Sequence, residues 1–340
     1  MKALILAGGG GTRLWPLSTP EKPKQFQKLI SDKTMFEEAL ELVNFLDPKD
    51  IFIALNEKHI ELIKELAPNI SEQNYIIEPA LRDTAPCLGY AAAVIEQKHP
   101  GEAIATIYAD QIIKNKTEFQ EKLRIAVEVA EKQGTLNIIE IPAASPNPNY
   151  GYVKLKELDQ KIGETEVYKL DHFVEKPNEE TAKKFIEEGN YLWNTGLYVW
   201  KGSTLLEAFR IHQPKTYEIL QKIIKNPETC HDLYPTLEKI SIDYAIMEKV
   251  DPSQVRIIKA NLEIVDAGNW EAIYKELAKT PGENITRGPV SLEDCEGCLI
   301  YADNQKPLKL IGLKNQVIID SPTGLLNCSM EEAKNIKKLL

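Results

Sequence analysis

The chain has 340 residues, 43% of them hydrophobic and 27% charged, the balance of a globular protein long enough for one large domain and a smaller one. Its formal net charge of −10 argues against a nucleic-acid partner, which calls for a basic face. No stretch approaches the roughly 18 apolar residues of a membrane span. The apolar start, Ala3 to Ala7, is too short for a signal peptide, and the five scattered cysteines suit a reducing compartment. A cytoplasmic protein with no membrane partner is expected.

Lys2–Leu6 reads as a buried strand that runs into four glycines, Gly8 to Gly11. Thr34-Met-Phe-Glu37 is a capping box, and Met35, Leu42, Val43 and Leu46 then recur at helical spacing. Next come a strand over Ile51–Leu55, a helix over Glu57–Leu66 and a strand over Tyr75–Ile77. They are followed by an Ala-rich helix over Ala85–Gln97, an apolar strand over Ala103–Ala109, a helix over Lys116–Lys132 and a strand over Leu136–Ile141. Uninterrupted apolar strands alternating with helices predict an α/β fold with a Rossmann-like, doubly wound, mostly parallel sheet.

From residue 150 the strands become longer and more polar, over Tyr152–Leu158, Val167–Val174 and Leu197–Trp200, and are expected to extend the same sheet with an antiparallel edge. The segment "TPGENITRG" is a connector. After it, apolar beads at Val290, Leu292, Cys298–Ile300, Leu308–Ile311, Val317–Ile319 and Leu325–Cys328 predict a β-helix-like appendage, with a plain β-meander as the other reading. Ser329-Met-Glu-Glu332 caps a final short helix. The expected division is a main domain over 1–280 and the appendage over 281–340.

A glycine-rich turn after a strand lets backbone N–H groups reach phosphate oxygens with no Cβ in the way. The Walker-type loop needs Lys and Ser/Thr after its last glycine, but Thr12-Arg13 stands there. The dinucleotide fingerprint needs glycine where Arg13 stands, and no acidic residue follows a second strand at the usual distance of about 20 residues. What remains is a loop whose own arginine meets a polyphosphate. Asp110 ends the apolar strand "AIATIYA", and in open sheets ligands bind at the carboxyl ends of the strands. Cys295 and Cys298 form a lone CxxC without a second pair, too little for a zinc site.

The run Gly8 to Ser18 followed by "EKPKQF" resembles the signature of the sugar-1-phosphate nucleotidyltransferases. Trp15-Pro16 and Pro-Lys-Gln-Phe resemble the mannose-1-phosphate guanylyltransferase branch. The likeness continues in order through "EPALRDTAP", "YADQ", "YGYV", "FVEKP", "WNTGLY", "SIDYAIME" and "VDAGNW", over residues 1 to about 275, and the terminal beads resemble the short left-handed β-helix such enzymes carry. The resemblance implies that a sugar-phosphate oxygen attacks the α-phosphorus of a nucleoside triphosphate. GTP and mannose-1-phosphate would be the substrates, GDP-mannose and pyrophosphate the products, and Mg²⁺ the cofactor, with a homodimer as the candidate assembly.

Residue by residue, the resemblance implies a phosphate cradle from Gly8, Gly9, Gly10, Gly11 and Thr12, with Arg13 and Lys24 as catalytic cations. Asp110 and Asp266 would hold the metal. Arg82, Asp83 and Thr84 fall in the block that walls the base. Gly151, Glu175, Lys176, Asn194 and Gly196, with Lys24, would hold the sugar phosphate. The chain departs from the family pattern at Gln111, where His is common, at Val265, where Trp is usual, and at Asp83, where Asn is more usual. The beads after residue 288 carry no such block and are expected to serve packing or assembly.

Three rival readings stand beside this one: another hexose-1-phosphate nucleotidyltransferase, an NAD-dependent dehydrogenase, and a non-catalytic nucleotide-sugar-binding subunit. Arg13 and the missing ribose carboxylate disfavour the dehydrogenase. A non-catalytic subunit would be expected to have lost Arg13, Lys24 or the two aspartates, all of which are present.

Overall fold

The computed structural model of the chain describes residues 1–9, 12–265, 267–304 and 306–339. The chain forms two compact units. One comprises Met1–Gly8, Leu40–Tyr108 and Ile113–Glu263, and the other Gly9–Ala39, Ala109–Ile112 and Ile264–Leu340.

The first unit is built on a nine-stranded sheet. From one edge to the other the strands are Tyr75–Glu78, Ile51–Asn56, Lys2–Leu6, Ala103–Tyr108, Tyr191–Lys201, Leu136–Pro142, Val255–Lys259, Thr165–Val174 and Tyr152–Ile162. Tyr191–Lys201 and Thr165–Val174 run against the others, so the sheet is mostly parallel with an antiparallel edge, as the apolar strand pattern predicts. All five residues of Lys2–Leu6 are buried, because helices cover both faces of a parallel sheet and leave no polar side to alternate with. Leu4, Leu6, Phe52 and Ile104 share a core with Ala85, Leu88, Ala91 and Ile95 of the helix Thr84–Lys98. Leu6 lies opposite Tyr108 in the parallel register, so these neighbouring strands end together, one running on into Gly8 and the other into Asp110.

In the second unit the capping box forms as its sequence demands. The Thr34 N–H donates to Glu37 Oε2 at 2.7 Å, and the Glu37 N–H donates to Thr34 Oγ1 at 3.1 Å. The carboxyl-terminal beads are strands, and the segment read as a connector carries one too: Ile285–Arg287, Leu299–Ala302 and Gln316–Ser321 stack in parallel, and Val290–Glu293 pairs in parallel with Leu308–Ile311. Parallel stacking of successive short strands is the pattern of a coil, whereas a meander would alternate direction. Gly324–Ser329 closes the coil antiparallel, and a 3-10 helix over Glu331–Leu339 follows. One core joins Leu14, Leu29 and Met35 of the amino-terminal segment to Trp270, Leu299, Tyr301, Val317, Ile319 and Ile336. Among the described residues no helix is long and apolar enough to cross a membrane.

Candidate active site

Gly10, Gly11 and Asp266, three of the sequence-predicted site residues, lie outside the described residues, as does the side chain of Thr12. Gly9 has φ +111°, a conformation L side chains rarely adopt, so glycine is required there by the backbone itself. At Gly8 an added Cβ would stand 3.7 Å from Glu78 Oε1, an ordinary contact. Past the glycines, Thr12–Leu14 makes one 3-10 turn that leaves Arg13 exposed.

Lys24 opens a second 3-10 turn, Lys24–Phe26, set by the extended Pro23 before it. The turn is buried and carries the lysine side chain with it, leaving Lys24 only 9% exposed. Its Nζ stands 2.9 Å from Asp110 Oδ2 in the same unit, and Asp110 is half-exposed. The two residues, 86 positions apart in sequence, thus make one site: a fixed ammonium beside a carboxylate that follows the end of a parallel strand.

The first unit holds the remaining predicted residues. Opposite Glu140 the strand Tyr191–Lys201 bulges: Ile139 pairs with Leu197 and Ile141 with Trp193, leaving Asn194, Thr195 and Gly196 against the single Glu140. Such bulges re-aim side chains and are common beside active sites. Gly196 has φ +77°, and a Cβ there would come within 2.8 Å of the Tyr108 ring, so the bulge depends on glycine twice over. Asn194 is held on three sides: its N–H donates to Gly151 O at 2.8 Å, its Nδ2 to Asp243 Oδ1 at 2.9 Å, and its Oδ1 accepts from the Gly196 N–H at 3.0 Å. A Cβ at Gly151 would collide with Glu175 Oε2, so these groups are in close contact.

Glu175 Oε1 pairs with Lys176 Nζ at 2.9 Å, while Oε2 is buried with no hydrogen-bond partner among the described residues. Burial raises the Glu175 pKa, the Asp243 charge adds to that, and Lys176 opposes it. Lys176 has φ +44°, a strained conformation of the kind found at ligand-binding positions. Its pKa is raised: burial pulls it down, and the Glu175 carboxylate more than offsets this.

In the block expected to wall the base, every predicted residue has a structural task. Arg82 donates to Pro235 O. Asp83 has φ +68° and caps the helix Thr84–Lys98, accepting from the Thr84 N–H at 2.8 Å. Asp and Asn both cap helices, so the departure from Asn keeps the cap. Thr84 Oγ1 accepts from the Ile242 N–H at 2.8 Å.

Three acidic residues around these sites were not singled out by sequence reasoning. Asp243, inside "SIDYAIME", accepts from both Asn194 and the buried Tyr198 hydroxyl. Glu78, buried at the end of its strand, accepts from the Tyr234 hydroxyl. Glu140 is fully buried; its Oε2 accepts from the Thr195 N–H at 2.7 Å and its Oε1 has no partner among the described residues. The signal for Glu140 was available: one acid inside the otherwise apolar strand "LNIIEIP".

Burial pushes the Glu140 pKa well above the usual glutamate range, and the nearby Asp243 and Glu175 charges add to it. Folding therefore strengthens proton binding at Glu140, and the stability it contributes falls as pH rises above that range. Glu140→Gln removes the titration, and its melting temperature should decline less than that of the wild type between about pH 5 and pH 8. Equal slopes in thermal melts of both proteins would show that Glu140 is not buried as an acid.

Residues 2–281 match the family described as nucleotidyl transferase. Over its whole length the chain is 31% identical to the alginate biosynthesis protein AlgA of Pseudomonas aeruginosa, spanning 71% of that protein. It is 30% identical to a mannose-1-phosphate guanylyltransferase of Escherichia coli, with 99% of this chain and 74% of that one aligned. A crystal structure from Thermus thermophilus, described as a mannose-1-phosphate geranyltransferase, superposes with a TM-score of 0.87 at 29% identity, covering 99% of this chain and 97% of that one. A family match over most of the chain, on a fold whose parallel strands Lys2–Leu6 and Ala103–Tyr108 end side by side, leads to one conclusion: the chain belongs to the nucleotidyl transferase family.

Proposed function

We propose that the protein transfers a guanylyl group from GTP to mannose-1-phosphate, giving GDP-mannose and pyrophosphate. The carrying observation is the Lys24–Asp110 pair, a fixed cation and a hard-oxygen ligand past the end of a parallel strand. The names of the relatives support the choice of substrates. The nucleophile, a phosphate oxygen, is already an anion and needs no general base. Its bond to the α-phosphorus forms as the bond from that phosphorus to the bridging oxygen breaks and pyrophosphate leaves. The protein's work is to hold mutually repelling anions in line and to meet the charge that grows on the leaving group.

In this reading the N–H groups of Gly8 to Gly11 and Thr12 cradle the triphosphate, and Arg13 and Lys24 counter the developing charge. Glu175 Oε2, an acceptor with no partner among the described residues, takes a sugar hydroxyl, with Asn194, Gly151 and Gly196 shaping the floor. Lys176 holds the sugar phosphate. Arg82, Asp83 and Thr84 border the base.

The family implies a divalent cation, and the donor chemistry suits Mg²⁺. Among the described residues no group of three or more His, Cys, Asp or Glu could hold a metal, while Mg²⁺ needs only one or two carboxylates beside phosphate oxygens and water. Asp110 and Asp266 would supply those carboxylates, and the bound ion would neutralise phosphate charge. The test is pyrophosphate release across four nucleoside triphosphates and several hexose-1-phosphates. GTP with mannose-1-phosphate should give the highest kcat/KM; a higher value for another pair would move the chain to another branch of the family.

A further inference from the structure

Residues 12 to 34 carry Arg13 and Lys24, yet their regular structure amounts to two 3-10 turns, Thr12–Leu14 and Lys24–Phe26. Backbone carbonyls in such a segment need partners from elsewhere. Many of them come from the carboxyl-terminal coil in the same unit. Arg287, on the first strand of the coil, donates to Lys28 O, and also to Ser31 O at 3.1 Å. Its Nη2 stands 3.3 Å from Asp32 Oδ1. The Tyr301 hydroxyl, on the next stacked strand, donates to Leu29 O at 2.6 Å, and its residue is 3% exposed. Ser321 Oγ donates to Pro16 O at 3.3 Å and Thr323 Oγ1 donates to the same carbonyl. Trp270 Nε1 donates to Trp15 O at 3.1 Å, and the Trp15 ring lies so close to Gly324 that a Cβ there would stand 2.6 Å from it.

These contacts fall at two places. The first, Trp15-Pro16, comes just after Arg13. The second, Lys28 to Asp32, comes just after the turn that buries Lys24. Lys24 therefore sits between two stretches of backbone that the coil holds fixed. Packing alone would be met by the apolar core of Leu14, Leu29, Leu299 and Val317. Hydroxyl, guanidinium and indole donors aimed at main-chain carbonyls fix position as well as burial.

We infer that the carboxyl-terminal coil is the positioning device of the phosphate loop: Arg287, Tyr301, Ser321 and Thr323 fix the carbonyls of Lys28, Ser31, Leu29 and Pro16 and thereby set where Arg13 and Lys24 stand. This deepens the proposed function and rests on it. The coil makes no claim on substrate. Its effect belongs to the rate, since misplacing a charge by about 1 Å can cost a large part of its transition-state value.

Two variants test this with little disturbance of the core. Tyr301→Phe keeps the ring, which packs edge-on to Trp270 at 5.7 Å, and removes only the bond to Leu29 O. Thr323→Val keeps the shape and removes the bond to Pro16 O. Each should lower kcat by about tenfold while changing KM for the sugar phosphate less than about twofold. Amide hydrogen exchange should speed up over residues 12–32 and remain as in the wild type over the strands Leu299–Ala302 and Gln316–Ser321. Arg287→Lys, which keeps the charge but loses the fork, should behave in the same way. Unchanged kcat together with unchanged exchange over 12–32 would overturn the inference. So would exchange that rises equally through the coil, the signature of a merely structural role. If the wild-type protein turns over no nucleotide and sugar-phosphate pair, the functional reading fails, and the exchange pattern alone decides this one.

Discussion

Replacing Lys24 by alanine is expected to lower kcat by on the order of 10²-fold or more, the scale of losing one preorganised donor to a developing oxyanion. The ammonium is held before substrate arrives: Pro23 sets the turn, the turn is buried, and Asp110 pairs with Nζ at 2.9 Å. A cation fixed in this way needs no reorganisation when charge moves toward the leaving pyrophosphate, which is why its loss falls on the rate. Asp110 is half-exposed and stays hydrated without its partner, so the melting temperature should move little. Steady-state kinetics and a thermal melt of Lys24→Ala check both statements. A wild-type kcat would remove Lys24 from the site.

Asp110→Asn is expected to raise the Mg²⁺ concentration needed for half-maximal rate and to lower kcat. Asparagine keeps the size and one oxygen but loses the charge that a hard cation prefers. The side chain also faces Lys24, so the carboxylate has two cations to serve. With asparagine in place the ammonium is left to the phosphates alone, and nucleotide KM should rise less than kcat falls. Rate measured against Mg²⁺ concentration for both proteins is the check. An unchanged Mg²⁺ dependence would show that Asp110 does not hold the ion. Asp266→Asn is proposed to behave alike.

How much of this could be read from the amino acids depended on the range of the interaction. The strands at Lys2–Leu6, Ile51–Asn56 and Ala103–Tyr108 were legible because burial on both faces writes an unbroken apolar run. The capping box at Thr34 was legible because its partners lie three residues apart. The strand Tyr191–Lys201 was read only over Leu197–Trp200, because the bulge at Asn194 to Gly196 breaks the period-2 pattern that marks a strand. Of the site, the residue types at Arg13, Lys24, Asp110 and Glu175 stood out through their motifs, but the Lys24–Asp110 contact did not, since no local pattern links a turn lysine to an aspartate 86 positions on. The same holds for the coil: nothing in "TPGENITRG" or the beads after it announces that Arg287 and Tyr301 bind the carbonyls of Lys28 and Leu29.

The central claim is attack on the α-phosphorus, and the fate of that atom tests it most directly. The protein is incubated with Mg²⁺, mannose-1-phosphate and GTP labelled at the α-phosphorus, and the products are separated. The account predicts that the label appears in a nucleotide sugar while pyrophosphate is released unlabelled in equal amount. Label recovered in free GMP or GDP, or a nucleotide sugar formed without release of pyrophosphate, would contradict it.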